Sequence, residues 1–522
     1  MTQSGILWLK VTRDGEVAVP LTNFTAHITA DVLQDDGVEV HRVYQVEASL
    51  NGREARFALT ASQFVGMNWP AERLGGGAVL YPGFGLRGHA RTAIQLLSHQ
   101  VEDRRVFAHT GWRKLPGGWA YLHGGGAIGA SGPVPDVDVA LPDALAPCAL
   151  PEPPDGDALR RAIRGSLRMV ELAGAAVALP LYCANWRAPL QASDVAVHLA
   201  GSTGAGKSEL AALAQQHWGA EFGARRLPGS WASTANSLEA LAFAGKDMLL
   251  VVDDFAPAGS PADVQRSHRE ADRLLRAQGN AAGRMRMRPD ASLQPSRPPR
   301  GLILSTGEDV PRGHSLRARL LILELPKEGQ GALDWGKLSV CQREASSGLY
   351  AQAMAGYLRW LATRYGDSDR RLAEEVASLR EETYSHHAGH RRTPNIVANL
   401  AAGLLRFLEF AEDERALDRA EAEVLWSRAW SALGEAATLQ QKHQGASEPT
   451  QRFLQMLSAA VASGRAHLAG PGGSVPESAK AWGWRAAAES GAVADWEPQG
   501  RRIGWVDGEE MYLEPEAAFA EV

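Results

Sequence analysis

A glycine-rich loop is the clearest chemical motif in this sequence. Residues 201–208 read GSTGAGKS and match the pattern G-x-x-x-x-G-K-[ST]. An apolar run precedes the loop and a helical pattern follows it, which is the setting in which backbone N–H groups surround phosphates. Lys207 would reach the β- and γ-phosphates of ATP, and Ser208 would coordinate Mg²⁺. The predicted nucleotide contacts in the loop are Gly201, Gly204, Gly206, Lys207 and Ser208.

Two adjacent acids end a later apolar strand pattern, DMLLVVDDF at residues 247–255. Two acids after a strand often form only a solvated strand end. With a phosphate loop upstream, a catalytic and metal-binding role is favoured over a solvated strand end, because the two features together are typical of an ATPase. Asp253 would then hold Mg²⁺ through water, and Asp254 would polarise the water that attacks the γ-phosphate.

A third apolar run, RGLILSTGED, ends on Ser305 and Thr306. Polar residues at the tip of a strand beside the acidic strand could contact the γ-phosphate or orient water, and the alternative is a simple turn. We predict a nucleotide contact for Ser305 and a catalytic role for Thr306.

Two arginines, Arg317 and Arg319, directly precede the apolar run LLILEL. An arginine at this position could project to a neighbouring subunit and stabilise charge on the transferring phosphate, as an arginine finger does. The alternative is an ordinary surface arginine. We favour the finger, and Arg319 over Arg317.

The segment between the acidic strand and the Ser305 strand is rich in arginine. After Gly283 it contains five arginines against one acid, Asp290. Side chains at alternate positions emerge on one face of a strand, so Arg284, Arg286 and Arg288 would form a stripe suited to a DNA backbone. A solvated basic loop, or a stripe that pairs with an acidic subunit surface, would explain the same pattern.

These residues require an α/β core to bring them together. From about residue 157, long helical patterns alternate with short continuous apolar runs, which predicts a parallel sheet with helices on both faces. Earlier β-like runs include a hairpin signal at Asn51-Gly52, and the tail suggests two helices and a hairpin at Asp507-Gly508. The predicted organisation is an α+β domain at 1–132, a proline-rich linker at 133–156, a P-loop core at 157–345, a helical domain at 346–447 and a winged-helix-like module at 448–522.

The composition limits the classes of function. The chain has 522 residues and a formal net charge of −6, so nucleic-acid binding would need a local basic patch. Three cysteines, Cys148, Cys183 and Cys341, are too few and too far apart for a zinc knuckle or a disulfide framework. No apolar stretch has the length of a membrane helix, and the start of the chain does not read as a signal peptide. We expect a cytoplasmic protein with no membrane partner.

Several blocks together resemble a known family. The blocks HLAGSTGAGKSEL, WASTANSLEALAFAGKDMLLVVDDFAP and PPRGLILSTGEDVPRGHSLRARLLILEL, with YPGFGLRGHARTAIQ and HTGWRKLPGGWAYLHGGGAIG before them, look like the helicase-type ATPase domain of phage and mobile genetic elements. Members are similar to the AAA+ replicative helicases of the minichromosome-maintenance and superfamily-three kinds.

The resemblance implies a hexameric ring with ATP between subunits, a helical lid domain, and a basic hairpin that lines a central channel for single-stranded or forked DNA. It implies that Lys207, Ser208, Asp253 and Asp254 act on the nucleotide of their own subunit. Arg319 would act on the neighbour's. The cysteines cannot form a zinc-binding primase module, so priming would need a separate primase or replication-initiation protein.

Two functions remain open at this point. The first is a ring-shaped DNA helicase that replicates a mobile element or phage, favoured by the alternating arginines. The second is an AAA+ ATPase that loads or remodels other proteins, with DNA binding peripheral. Stimulation of hydrolysis by single-stranded DNA would separate them.

Overall fold

The computed structural model divides the chain into two compact units. It describes residues 5–521 except 14, 284, 288–290, 292, 314, 315, 317, 318, 387–391, 446–448 and 487–494. The larger unit holds residues 1–311 and 319–437, and the smaller holds 312–318 and 438–522. No helix among the described residues combines the length and the apolar character that a membrane crossing needs.

The first region of the larger unit is a mixed α+β structure with three sheets. Its strands are β1 (Ile6–Thr12), β2 (Gly15–Thr22), β3 (Thr25–Asp35), β4 (Val40–Leu50), β5 (Arg53–Thr60), β6 (Glu102–Phe107), β7 (Gly111–Leu115), β8 (Gly118–His123), β9 (Gly126–Gly129), β10 (Gly132–Val134) and β11 (Asp138–Val139). Its helices are α1 (Ala61–Gly66), α2 (Trp69–Leu74) and α3 (Leu86–Leu97). The strands form a β1-β2 ribbon, a sheet in the order β11-β6-β3-β4-β5, and a sheet in the order β10-β9-β8-β7.

The hairpin between β4 and β5 turns where the sequence predicts it. Asn51 and Gly52 have φ values of +51° and +77°, and Leu50 pairs with Arg53 across the turn. Positive φ at both loop positions is what a two-residue hairpin turn requires and what an Asn-Gly pair tolerates. The resulting sheet packs against α1–α3 through fully buried side chains such as Phe24, Phe64 and Ile94.

The β7–β10 sheet is attached to the region of the parallel sheet described below by buried hydrogen bonds. The backbone N–H of Trp112 donates to Asp247 Oδ2 at 3.0 Å, and Tyr121 Oη donates to the Asp247 carbonyl at 2.9 Å. Gly111 has a φ of +94°, and a Cβ there would lie 2.7 Å from the carbonyl oxygen of Lys246. Only glycine allows this close approach.

The proline-rich segment 133–156, which the sequence predicts to be a linker, contains short strands and buried side chains. The predicted boundary at residue 132 falls inside β10, and β11 pairs with β6 of the earlier sheet. Leu145 and Cys148 are fully buried. The prolines interrupt regular hydrogen bonding, but the apolar side chains between them still pack. The remaining domain boundaries stay predictions.

A five-stranded parallel sheet forms the core of the larger unit, which confirms the predicted α/β class. Its strands are β12 (Ala196–Ala200), β13 (Gly229–Ser230), β14 (Leu249–Phe255), β17 (Leu302–Gly307) and β18 (Leu320–Glu324), while β15 (Arg286–Met287) and β16 (Leu293–Gln294) form a separate antiparallel pair. The order across the sheet is β13-β14-β17-β12-β18. The helices of this region are α4 (Gly156–Leu167), α5 (Ala175–Arg187), α6 (Lys207–Gln215), α7 (Ala235–Ala244) and α8 (Pro261–Asn280).

Burial explains why these strands read as continuous apolar runs. Every residue of β12 is buried, and Leu249 to Val252 of β14 are at most 1% exposed. Strands covered on both faces do not alternate apolar with polar residues. Each such Val or Leu side chain contributes about 1.5–3 kcal/mol by leaving water.

Among the described residues between the sheet and residue 446, the α-helices are α9 (Trp335–Ser346), α10 (Leu349–Ala362), α11 (Ser368–His386), α12 (Thr393–Asp413) and α13 (Arg419–Gly445). The first of these helices begins at Trp335, before the predicted start of the helical domain at 346, and that domain boundary stays a prediction. Helix α12 packs on α5, where the buried Arg187 donates to Asn399 Oδ1 at 2.8 Å through Nη2 and 3.0 Å through Nε. Burial lowers the pKa of Arg187 to about 10.

The smaller unit contains α14 (Pro449–Ala462), β19 (Ala466–Ala469), β20 (Trp484–Ala486), β21 (Trp496–Pro498), β22 (Arg501–Asp507), β23 (Glu510–Leu513) and α15 (Pro515–Ala520). The predicted first helix and terminal hairpin are present. The predicted second helix is wrong: residues Ala479–Trp482 form a single 3-10 turn, and β20 follows directly. Gly483, between them, has a φ of +86°, which ends the turn. The winged-helix assignment stays a prediction.

Candidate nucleotide site

The phosphate loop joins β12 to α6 at the carboxyl edge of the parallel sheet. Gly204 and Gly206 have φ values of +80° and +90°, which L side chains rarely adopt. A Cβ on Gly201 would lie 2.6 Å from the Leu325 carbonyl oxygen. The loop therefore needs its glycines both for its backbone and for close approach to the neighbouring strand.

Lys207 and Ser208 occupy the first turn of α6, where backbone N–H groups are unpaired within the helix. Lys207 Nζ donates to the Ser202 carbonyl at 3.0 Å, so the ammonium lies over the loop. The positive end of the helix and this cation converge on the exposed residues of the loop. Such an arrangement favours a polyphosphate.

Ser208 is hydrogen bonded to the acidic strand. Ser208 Oγ lies 2.9 Å from Asp253 Oδ1 and donates to it, and Thr306 Oγ1 donates to the same carboxylate oxygen. A hydroxyl and a carboxylate are hard oxygen ligands, the type that Mg²⁺ prefers. The donor set around Asp253 therefore fits the predicted metal. The structure brings Ser208, Asp253 and Thr306 together, and their roles toward a metal and a nucleotide stay predictions.

Asp254 lies in an irregular part of the strand. The pairing of β14 with β17 shifts between Val252 and Phe255, and Asp254 has a φ of +68°. Its backbone N–H donates to Thr306 Oγ1 at 3.1 Å, while the residue is exposed. A non-glycine residue with positive φ costs about 1–3 kcal/mol and persists where surrounding bonds enforce it. At this bulge the Asp253 carboxylate is hydrogen bonded to Ser208 and Thr306, while the next residue, Asp254, is exposed.

Thr306 positions both acids, because its hydroxyl donates to the Asp253 carboxylate and accepts from the Asp254 N–H. The residue is 1% exposed. These bonds favour a positioning role for Thr306, and the catalytic role stays a prediction.

Ser305 does not occupy the predicted place beside the nucleotide. It is fully buried, and its hydroxyl lies 2.9 Å from His198 Nδ1 and accepts from Trp231 Nε1 at 2.9 Å. Successive side chains of a strand point to opposite faces, so only one of the two neighbours Ser305 and Thr306 can face Asp253. Direct nucleotide contact by Ser305 has no support in this geometry.

Sequence reasoning missed Lys327, which follows the end of β18. A Cβ on Gly204 would lie 3.9 Å from Lys327 Nζ, so this exposed lysine lies against the phosphate loop. The signal was present in the sequence: the run LLILELPK ends a buried strand at the same edge as the loop. Lys327 is a second cation available to a phosphate.

Arg319 lies at the opposite edge of the sheet from the phosphate loop of its own chain. It directly precedes β18, whose Leu320 pairs with Ala196 while Glu324 pairs with Ala200. The loop begins after Ala200, so the two features are separated by the length of the strand, about 17 Å at 3.3 Å per residue. Arg319 Nη2 donates to Asn280 Oδ1 at 3.1 Å. Burial, with Arg392 and Arg276 nearby, lowers its pKa.

The structure describes the backbone of only one of the three arginines in the predicted DNA-binding stripe. Arg284 and Arg288 lie outside the described residues, and Arg286 lies in β15, which pairs with β16. Two further arginines of the same segment contact protein. Arg297 Nη2 lies 2.6 Å from Asp36 Oδ2, and the Arg300 guanidinium stacks on Phe243 with its Cζ 3.6 Å from the ring centre. Arg297 and Arg300 therefore bind to other residues of the larger unit.

Replacing Thr306 by valine should lower both Mg²⁺ affinity and hydrolysis. The change removes one donor from the Asp253 carboxylate and one acceptor from the Asp254 N–H. Hydrolysis measured across a Mg²⁺ titration is expected to show a shift to higher Mg²⁺. Thr306→Ser keeps the hydroxyl and should restore the wild-type curve. An unchanged Mg²⁺ dependence in Thr306→Val would refute the positioning role.

Comparisons with known proteins agree with this geometry at the level of the fold. Residues 158–281 match a family model described as "Domain of unknown function (DUF927)". The chain is similar to a solved structure described as "SCCmec type IV Cch - active helicase", with 14% sequence identity, a TM-score of 0.52, and coverage of 90% of this chain and 85% of that one. No curated protein sequence matches the chain.

Two further structures are similar over parts of the fold but have TM-scores too low to add to the argument. The NrS-1 C terminal region has 10% identity and a TM-score of 0.28, covering 77% of this chain and 86% of that one. The JCV helicase has 15% identity and a TM-score of 0.24, covering 44% of this chain and 65% of that one. The resemblance to helicase-type proteins predicted from the motifs is confirmed as a likeness of fold.

Proposed function

We propose that this protein is an ATP-driven DNA helicase that works as a ring of identical subunits, with ATP and Mg²⁺ bound at the phosphate loop. One observation supports this proposal above the others. The phosphate loop and Arg319 lie at opposite edges of the same parallel sheet. An arginine that cannot reach the nucleotide of its own chain is available to that of a neighbour, and repeating this contact closes a ring.

Each residue of the site has a distinct part in hydrolysis. The loop N–H groups and Lys207 hold the β- and γ-phosphates, and Ser208 with Asp253 holds the metal. Bound Mg²⁺ supplies charge neutralisation on the phosphate oxygens. Asp254, exposed beside this set, accepts hydrogen bonds from the attacking water and orients it.

The flanking regions complete this proposal. The helices after Trp335 would act as the lid over the nucleotide, since Leu333 and Trp335 already lie against Gly206 of the loop. We assign residues 448–522 to a winged-helix-like module, and DNA movement to the β15–β16 hairpin. A hexamer that replicates a phage or mobile element, acting on single-stranded or forked DNA with a separate primase or initiation protein, fits these parts.

The proposal is tested by measuring hydrolysis with and without single-stranded DNA, and unwinding of a forked duplex. A helicase should show faster hydrolysis with the oligonucleotide and ATP-dependent strand separation. If DNA does not change the rate of hydrolysis and an assembled ring does not unwind the duplex, the alternative of a protein-remodelling ATPase is favoured. The contacts of Arg297 and Arg300 with protein give that alternative its one point of support.

Changing Arg284, Arg286 and Arg288 together to alanine is expected to weaken DNA binding while basal hydrolysis stays measurable. Removing three phosphate contacts to single-stranded DNA should lower the slope of log affinity against log salt by about 2. A matched variant replaces Arg160, Arg370 and Arg419, which form surface ion pairs with neighbouring acids. That variant loses the same charge and should bind normally. Intact DNA binding and unwinding in the first variant would show that the hairpin does not contact DNA.

A further inference from the structure

The first region of the larger unit exposes an aromatic side chain on a short loop before α3. Phe84 is 106% exposed, so its ring stands clear of the surface. Gly85, which follows it, has a φ of +76° and begins the helix. The exposed Phe84 ring has both faces open to water, so a flat aromatic partner could stack on it.

Other aromatic and basic side chains extend from this point along one surface. His89 Nε2 lies beside Gly85, at 3.7 Å from where its Cβ would be. The His89 ring stacks on Trp8 with centroids 4.2 Å apart, and Lys10 Nζ lies 5.6 Å from the centre of the Trp8 ring. The stack of His89 on the half-buried Trp8, with Lys10 beside it, thus lies next to Gly85, the residue that follows Phe84.

The charge of this part of the chain is entirely positive. Between Glu72 and Glu102 the sequence contains no acidic residue, while it contains Arg73, Arg87 and Arg91. Arg87 and Arg91 are four residues apart in α3 and lie on the same side of the helix.

The charges of these arginines are not neutralised by the protein. Arg87 donates to the Gly66 carbonyl and to Asn68 Oδ1, which are both neutral. Within the part of the chain that the structure describes, neither Arg87 nor Arg91 forms an ion pair with a carboxylate. The arginines therefore remain available to an anion.

We propose that this Phe84 surface, made of Trp8, Lys10, Phe84, Arg87, His89 and Arg91, binds single-stranded nucleic acid. Exposed aromatic rings stack on bases, and adjacent cations follow the phosphates, which is how single strands are held without sequence preference. A purely apolar partner would leave the cations without counter-charges. The assignment of this surface to single-stranded nucleic acid does not depend on the proposed helicase function. The choice of DNA over RNA as the bound strand does rest on that function.

Photocrosslinking tests this proposal on the full chain without ATP. A thymidine oligonucleotide that contains 5-iododeoxyuridine is irradiated with the protein, and the crosslinked peptides are identified by mass spectrometry. We expect a peptide that contains Phe84 or Trp8. Crosslinks confined to other peptides would overturn the assignment.

Binding by fluorescence anisotropy supplies the second measurement. In the Arg284, Arg286 and Arg288 alanine background, Phe84→Ala is expected to weaken binding to oligo(dT) about tenfold, since stacking of one base contributes about 1–3 kcal/mol. Phe84→Trp should restore binding. Arg87→Ala with Arg91→Ala should lower the salt slope by about 1.4. The matched pair Arg53→Ala and Arg56→Ala, on exposed positions of β5, should leave it unchanged.

The failure of this proposal can be distinguished from that of the helicase function. Unchanged oligo(dT) binding by Phe84→Ala overturns the surface, while DNA-stimulated hydrolysis in the same variant leaves the helicase function standing. If Phe84→Ala instead alters only the sedimentation of the assembled protein, the surface is a contact between subunits and the nucleic-acid assignment is wrong.

Discussion

Replacing Lys207 by alanine is expected to abolish ATP hydrolysis, with kcat at least about 100-fold below the wild-type value. A group that stabilises the charge developing in the transition state typically contributes a factor of about 10²–10³. Lys207 Nζ already lies 3.0 Å from the Ser202 carbonyl, so the cation lies at the loop before any nucleotide arrives. Lys327 also lies near Gly204, but it follows a different strand, β18, and would not replace Lys207.

The measurement is steady-state release of inorganic phosphate with saturating ATP and Mg²⁺. Lys337→Ala is the matched control, because Lys337 is an exposed lysine whose Nζ lies 3.8 Å from Asp334. It removes the same charge without touching the loop. Hydrolysis by Lys207→Ala at more than about a tenth of the wild-type rate, with normal folding, would mean that the loop does not hold the reacting phosphates.

The residues that the sequence indicates should lie together at the site belong to short stretches of chain. The phosphate loop is one such stretch, since glycine spacing, an apolar strand and a helix start occur within a few residues of each other. Ser208 and Asp253 lie together because each is near the carboxyl end of a strand, and these ends share one edge of a parallel sheet. Local pattern and general sheet geometry were sufficient for these residues.

The features of the site that the sequence does not indicate depend on contacts between distant segments. Ser305 and Thr306 are adjacent, and their sequence cannot indicate which one faces Asp253. The pairing of β17 with β12 and β14 decides it, by placing Ser305 between His198 and Trp231. The bulge at Asp254 is likewise a property of strand pairing and leaves no signal in composition.

The linker and the arginine-rich segment show the same dependence. Prolines at 133–156 suggested a tether, but the apolar Leu145 and Cys148 are buried by partners elsewhere in the chain. Arg297 belongs by sequence to a basic stretch, yet its partner Asp36 is more than two hundred residues away. Such pairings require the tertiary structure, because neither partner is recognisable from its own surroundings.

Arg319→Ala is expected to lower hydrolysis by about 10³-fold or more, as the loss of an arginine finger does. The expected effect depends on assembly, since Arg319 lies a strand length away from the loop of its own chain. Asn280 and the end of α8 hold its guanidinium. The arginine would therefore act at the phosphate of the adjacent subunit.

Mixing two inactive variants tests that assignment directly. Subunits with Arg319→Ala keep an intact phosphate loop, and subunits with Lys207→Ala keep an intact arginine, so interfaces of the mixed ring can combine both intact halves. We expect phosphate release to reappear in mixtures and to be greatest near equal proportions. Arg276→Ala is the control for Arg319→Ala, because Arg276 lies nearby but pairs with Asp272 at 2.8 Å. Mixtures that assemble yet stay inactive at every ratio would place the action of Arg319 within its own subunit or outside catalysis.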